Sequence, residues 1–222
     1  MISAAEYLNQ TEHAVEGMFN SIKHYSDLMR MSFPPVKVIR HSGEEGEFDR
    51  KYQAWRAAPE IQQEFEIAEY ARDEYHASLF SQHVISGSIL QIACKYIELH
   101  SKNTECLENF TYLFEGCSVS KKRNLLKFLV GRTVRNVPVG LIIYAGRNQY
   151  NHLDEQNGFR NPVNTNVFSA LGKNHEYGDF IDPPFDLNNK NIISYSSNIL
   201  SILDWDTYSK YKADMNSLIG KV

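Results

Sequence analysis

The run Arg147-Asn148-Gln149-Tyr150-Asn151-His152 puts a permanent cation, an imidazole and two asparagine amides within six residues. Arginine holds a phosphate through parallel N–H bonds and keeps its charge at any physiological pH. Histidine takes up or releases a proton near neutrality. Side by side, the two bind a phosphodiester and move a proton next to it. No other stretch of the chain gathers so much chemistry.

The elements that must position these groups begin with one helix. At about 100° per residue, Asn151 falls about 40° from Arg147, Glu155 about 80°, Asn148 about 100° and His152 about 140°. Tyr144 falls in the same arc. Ile142, Ile143, Gly146, Tyr150 and Leu153 take the opposite side and read as core. Pro138 suits a first turn and Gly158 a stop. Leu141, Tyr144, Ala145, Asn148 and His152 also share a side. That side suits a partly wet interface, so a homodimer through this helix is expected.

Arg147 and His152, five positions apart with the polar Asn148 directly after the arginine, resemble the signature of the HEPN superfamily (higher eukaryotes and prokaryotes nucleotide-binding). The likeness covers the helical stretch of roughly residues 60 to 156. It implies an all-α fold, an antiparallel helical bundle flanked here by an N-terminal helix and a C-terminal helical extension. It implies a metal-independent endoribonuclease that leaves 2′,3′-cyclic phosphate ends and works as a dimer. Arg147, His152 and Asn148 are the expected catalytic set, with no cofactor and no metal. A role in a toxin–antitoxin or phage-defence system, with a cognate antitoxin or inhibitor, goes with the resemblance. The residue types give the same chemistry: RNA carries its own nucleophile, so the protein need only move protons and stabilise charge.

Net charge is −4, which alone argues against a nucleic-acid partner, but the charge is unevenly spread. Between Glu115 and Asp154 there is no acidic residue, while Lys121, Lys122, Arg123, Lys127, Arg132, Arg135 and Arg147 all fall there. Such a patch binds phosphate backbones. With Asn151 and Tyr144, the cations upstream of Arg147 form the expected RNA-binding set. Were the stretch 121–135 buried or ion-paired, a helical bundle without a nucleic-acid role would be favoured. The competing functional class is a non-catalytic HEPN-like module that binds nucleotides, RNA or another protein.

The 222 residues, 42% hydrophobic and 23% charged, suit one globular domain. Expected divisions are 1–58 for an N-terminal helix and loop, 59–156 for the core and 157–222 for the extension. Cys94, Cys106 and Cys117 form no CxxC, which fits a reducing compartment. With no signal-peptide pattern and no long apolar run, a cytoplasmic location without a membrane role is expected.

Ser3 to Glu6 reads as a capping box opening a helix to about Arg30. Pro34-Pro35 break the chain, and 34–48 reads as a loop. A short helix over Phe48–Arg56 and a long one from Pro59 to about His100 follow. The latter has a stripe of Phe80, Val84, Ile85, Ile89, Ile92, Tyr96 and Leu99, and Ser86-Gly87-Ser88 mark a site for a bend. Further helices are expected over 104–114, 119–130, 163–171, 192–203 and 206–219, with Trp205 plugging the core. No alternation is strong enough for a sheet. Asp73-x-x-His76 looks like half of a carboxylate-bridged metal site, but a second half is missing.

Overall fold

The computed structural model describes residues 2–31, 46–151, 161–173, 175 and 180–219. These are mostly helical, and the fold is all-α with one two-residue ribbon. The helices are α1 (Ala4–Met31), α2 (Glu47–Arg56), α3 (Pro59–His100), α4 (Val119–Leu125), α5 (Val139–Asn151), α6 (Pro162–Lys173), α7 (Ser196–Ile202) and α8 (Tyr208–Ile219). The ribbon pairs β1 (Thr133–Val134) with β2 (Val137–Pro138), antiparallel, with Thr133 opposite Pro138. The chain divides into two compact units: Met1–Ile22 with His83–Val222, and Lys23–Gln82. The division passes through α1 and α3.

The larger unit holds the motif. α1 opens on the expected capping box: the Glu6 N–H donates to Ser3 Oγ at 3.2 Å, and the Ser3 N–H donates to Glu6 Oε2 at 2.8 Å. These bonds hold the Glu6 carboxyl below its ordinary value. Leu8, Val15 and Phe19 from α1 join Ile89, Leu90, Ala93, Tyr96 and Ile97 from α3 in the core. The helical pattern of α3 runs unbroken through Ser86-Gly87-Ser88. Ser88 Oγ donates to the Val84 carbonyl within the helix, and the Tyr150 ring lies where a Gly87 side chain would stand. Gly87 is there for close packing.

Two expected helices are shorter than their periodicity. Between His100 and α4 only a 3-10 turn over Glu108–Phe114 forms, and after Leu125 only a 3-10 turn over Leu126–Phe128. Asn103 Nδ2 lies 3.0, 2.8 and 3.3 Å from the carbonyl oxygens of Glu105, Leu126 and Leu129, tying the segment after α3 to the end of α4. The ribbon turns on Arg135 and Asn136, both at positive φ (49° and 65°).

The C-terminal elements close over this core. Ser194 Oγ accepts from the Ser196 N–H, and Ser196 Oγ donates to the His83 carbonyl at 2.8 Å, so α7 starts four residues later than expected. Trp205 is buried as expected, its Nε1 donating to Asp214 at 2.8 Å.

In the smaller unit, the rings of Phe48, Tyr52, Trp55 and Phe65 follow one another at 5.8–6.0 Å. No residue of α2 is buried. Phe80, placed by its spacing on the core stripe of α3, is 55% exposed instead. No helix among the described residues is long and apolar enough to cross a membrane.

Candidate functional site

The motif helix is anchored by its first two turns. Val139, Gly140, Leu141, Ile142, Ile143, Ala145 and Gly146 are all buried. Val139 N–H donates to the Arg132 carbonyl at 3.0 Å and Gly140 N–H to the Val130 carbonyl at 3.1 Å, fixing where α5 begins. Gly140 packs against backbone: a Cβ there would stand 2.6 Å from the Phe128 carbonyl oxygen. Gly146 leaves room for Leu90 and Ile199. Ile142, Ile143 and Gly146 are core as expected, whereas Tyr150 is half-buried.

The same burial corrects the expected dimer face. Leu141 and Ala145 are fully buried inside the chain, so the side they share with Tyr144 and Asn148 is not a surface open to a second copy. The periodicity showed an amphipathic helix, but the start of α5 is enclosed all round.

Past Gly146 the helix turns polar, and Arg147 becomes the centre of a network. Its Nε donates to Gln91 Oε1 at 3.2 Å, its Nη1 to Asn148 Oδ1 at 3.3 Å and its Nη2 to Glu98 Oε1 at 3.3 Å. Both side chains of the Arg147–Glu98 ion pair are about a quarter exposed. A guanidinium carries five N–H donors, so among the described residues these three bonds leave two for an incoming acceptor. Asn151, exposed, has its Oδ1 held by the Gln91 amide.

Asn148 relays the network onward. Its Nδ2 donates to the Tyr144 hydroxyl at 3.2 Å, and Asn161 Nδ2, just before α6, donates to the same oxygen at 3.2 Å. Asn161 also donates to Asn164 Oδ1 at 3.3 Å. Burial holds the Tyr144 phenol above its ordinary value, opposed by the two amides and by the Arg147 charge. Burial likewise pushes the Cys94 thiol up to about 12, against the pull of Arg147. Cys94 is fully buried in the core.

Arg147, Asn148, Tyr144 and Asn151 thus fall within one network. His152, the remaining member of the expected catalytic set, lies outside the described residues, as do Leu153, Glu155 and Gly158. Sequence spacing missed Gln91, Glu98, Asn161 and Asn164. Gln91 and Glu98 are seven apart on α3, one helix face, but so are many polar pairs.

The basic stretch separates into two groups. Arg132 grips Asp214 through Nε and Nη2 at 3.0 and 2.9 Å and donates to the Leu203 carbonyl at 2.6 Å. Arg135 donates to Asp182 at 2.6 Å and to the Leu171 carbonyl. These two arginines tie the C-terminal elements to the ribbon, so their charge is spent on the fold. Lys121, Lys122, Arg123 and Lys127 have no carboxylate within salt-bridge distance among the described residues. Lys122 and Lys127 lie over the Phe114 and Phe128 rings at 5.5 and 5.6 Å. Ser118 caps α4, its Oγ accepting from the Lys121 N–H. Among the described residues no group of three or more His, Cys, Asp or Glu is placed to hold a metal ion.

Compared with known protein families, with characterised proteins and with solved structures, the chain shows no significant match.

Proposed function

We propose that this chain is a metal-independent endoribonuclease of the HEPN type. The observation that carries it is the Arg147 network: a half-buried guanidinium, aimed by Gln91, Glu98 and Asn148, with two N–H donors left over among the described residues. A phosphate oxygen is the ligand such a pair of donors suits best. Lys121, Lys122, Arg123 and Lys127, without a carboxylate partner among the described residues, supply attraction for an RNA backbone.

The chemistry is a transesterification. The 2′-hydroxyl of RNA attacks the adjacent phosphorus, the O2′–P bond forms and the P–O5′ bond breaks. His152 takes the 2′ proton, and a proton is returned to the departing O5′. Arg147 neutralises charge building on the phosphoryl oxygens. Asn148 holds the guanidinium plane, with Tyr144 behind it. The products carry a 2′,3′-cyclic phosphate and a 5′-hydroxyl. A toxin or defence role, restrained by a cognate inhibitor, fits such an activity.

The Arg147–Glu98 ion pair favours one alternative. A guanidinium already neutralised by a carboxylate suits binding without catalysis, as in a nucleotide- or RNA-binding module or a protein-interaction module. The separating experiment incubates purified protein with single-stranded RNA in chelator. Cleavage should occur, and Arg147→Ala and His152→Ala should each lose roughly 10²-fold or more in rate while keeping wild-type circular dichroism. RNA binding without cleavage selects the module.

A further inference from the structure

The two asparagines that meet on the Tyr144 hydroxyl are each pinned in one orientation. Asn148 Oδ1 faces Arg147 Nη1 at 3.3 Å, and a guanidinium only donates, so the amide nitrogen of Asn148 is the end that faces Tyr144. Asn161 Oδ1 accepts from the Val163 N–H at 3.2 Å, and its Nδ2 stands between Asn164 Oδ1 and the phenol. An amide nitrogen never accepts. The Tyr144 oxygen therefore receives two N–H bonds, and its own hydrogen must point away from both asparagines. Tyr7, Tyr112 and Tyr195 give their hydrogens to the carbonyls of Ile92, Asn136 and Asp186. Among the described residues no acceptor meets the hydrogen of Tyr144.

The other donors left over nearby are those of Arg147. The two residues are three apart on α5, about 60° around the helix. Bonds of 3.3 and 3.2 Å on either side of the Asn148 amide, about 2.3 Å wide, keep the phenol oxygen within about 9 Å of Arg147 Nη1. Two phosphate oxygens about 2.5 Å apart, each accepting a bond of about 2.8 Å, span about 8 Å. One phosphate group is therefore wide enough to accept from both side chains.

We infer that Tyr144 donates its hydroxyl hydrogen to an oxygen of the phosphate group held by Arg147, and that Asn161 is the positioning residue that turns it there. The inference rests on the reading of Arg147 as the phosphate-binding group, but it does not require cleavage.

Inorganic phosphate is the probe, titrated in chelator and followed by NMR of protein labelled with ¹³C at tyrosine Cζ. Phosphate should shift the Tyr144 resonance. Tyr144→Phe, which keeps the ring against Phe128 at 4.9 Å, should lower phosphate affinity about tenfold. Asn161→Asp keeps an oxygen for the Val163 N–H and offers the phenol an acceptor, so it should capture the hydrogen and cost at least as much. Adding Tyr144→Phe to Asn161→Asp should then cost nothing more. A further tenfold loss in that double variant would show the new carboxylate acting by repulsion alone and would overturn the role of Asn161. A Tyr144 resonance unmoved at saturating phosphate, or wild-type affinity in Tyr144→Phe, overturns the role of Tyr144. Loss of binding in Arg147→Ala but not in Tyr144→Phe strikes this inference alone, whereas wild-type binding in Arg147→Ala, or no binding by wild type, strikes the underlying reading with it. RNA left whole despite the expected shifts strikes the ribonuclease activity and leaves the inference standing. If Tyr144→Phe loses its helical circular dichroism, the wild-type resonance decides.

Discussion

Replacing Gly140 by Ala tests how the motif helix is seated. The added methyl would stand 2.6 Å from the Phe128 carbonyl oxygen and 2.8 Å from Val130 Cγ2. Neither neighbour yields easily: Phe128 is core, and the Val130 carbonyl already accepts from the Gly140 N–H. Two effects oppose. Alanine is favoured over glycine inside a helix by about 0.5–1 kcal/mol. Overpacking against a rigid wall costs about 1–3 kcal/mol. Contact with backbone puts the cost at the upper end, so the net loss is about 1–2 kcal/mol. For a chain this long each kcal/mol shifts Tm by about 2–4 °C, so Tm should fall by roughly 2–8 °C. Gly17, inside α1 with nothing within 4 Å of a Cβ, is the control. There the same substitution should stabilise by about 0.5–1 kcal/mol. Thermal and urea unfolding followed by circular dichroism measure both. A Gly140→Ala protein as stable as wild type, or more so, would refute the close seating of α5.

The half-buried Arg147–Glu98 pair lies between exposed pairs, worth about 0–1 kcal/mol, and fully buried ones, whose disruption costs about 3–5 kcal/mol. A double-mutant cycle with Arg147→Met and Glu98→Gln should give a coupling of about 1–2 kcal/mol, and no measurable coupling would show that Glu98 does not hold the guanidinium. His83 is 9% exposed, its Nδ1 within 3.0 Å of Ser197 Oγ, and burial lowers its pKa from 6.5. Folding therefore favours the neutral ring: this part of the stability is full above pH 6.5 and is lost as pH falls below it through the folded value. His83→Gln should flatten that portion of the pH–stability curve, and an unchanged curve would place its origin elsewhere. Replacing Lys121, Lys122 and Arg123 by Ala should reduce the slope of log affinity for single-stranded RNA against log salt by about 0.7 for each phosphate no longer neutralised. Stability should stay within about 0.5 kcal/mol, and an unchanged slope would remove this patch from the RNA path.

Much of the helical plan was legible in local signals. The Ser3–Glu6 capping box and Pro59 opening α3 mark elements that formed where expected. What stayed hidden depends on contacts distant in sequence. Asn103 reaches 23 and 26 residues along the chain to the carbonyls of Leu126 and Leu129, and no periodicity reveals that. The ribbon turns on Arg135-Asn136, and arginine at a left-handed turn position is not the usual Asn-Gly signal. Leu141 and Ala145 belong to an amphipathic pattern, yet their turn of α5 is surrounded. Arg132 and Arg135 count as basic patch in the sequence, and only Asp214 and Asp182, far along the chain, show them to be structural. At the site, Arg147, Asn148 and Tyr144 were readable because one helix brings them together. Gln91 and Glu98 come from a second helix and Asn161 precedes a third, so their part emerges only from packing.

Attack by the 2′-hydroxyl beside Arg147 leaves its mark on the ends of the cleavage products. A single-stranded RNA incubated with the protein in chelator should yield fragments ending in 2′,3′-cyclic phosphate, while the all-deoxy strand of the same sequence stays intact and Arg147→Ala leaves both strands whole. RNA left whole by wild type, fragments ending in 3′-hydroxyl, or equal cleavage of the deoxy strand would contradict it.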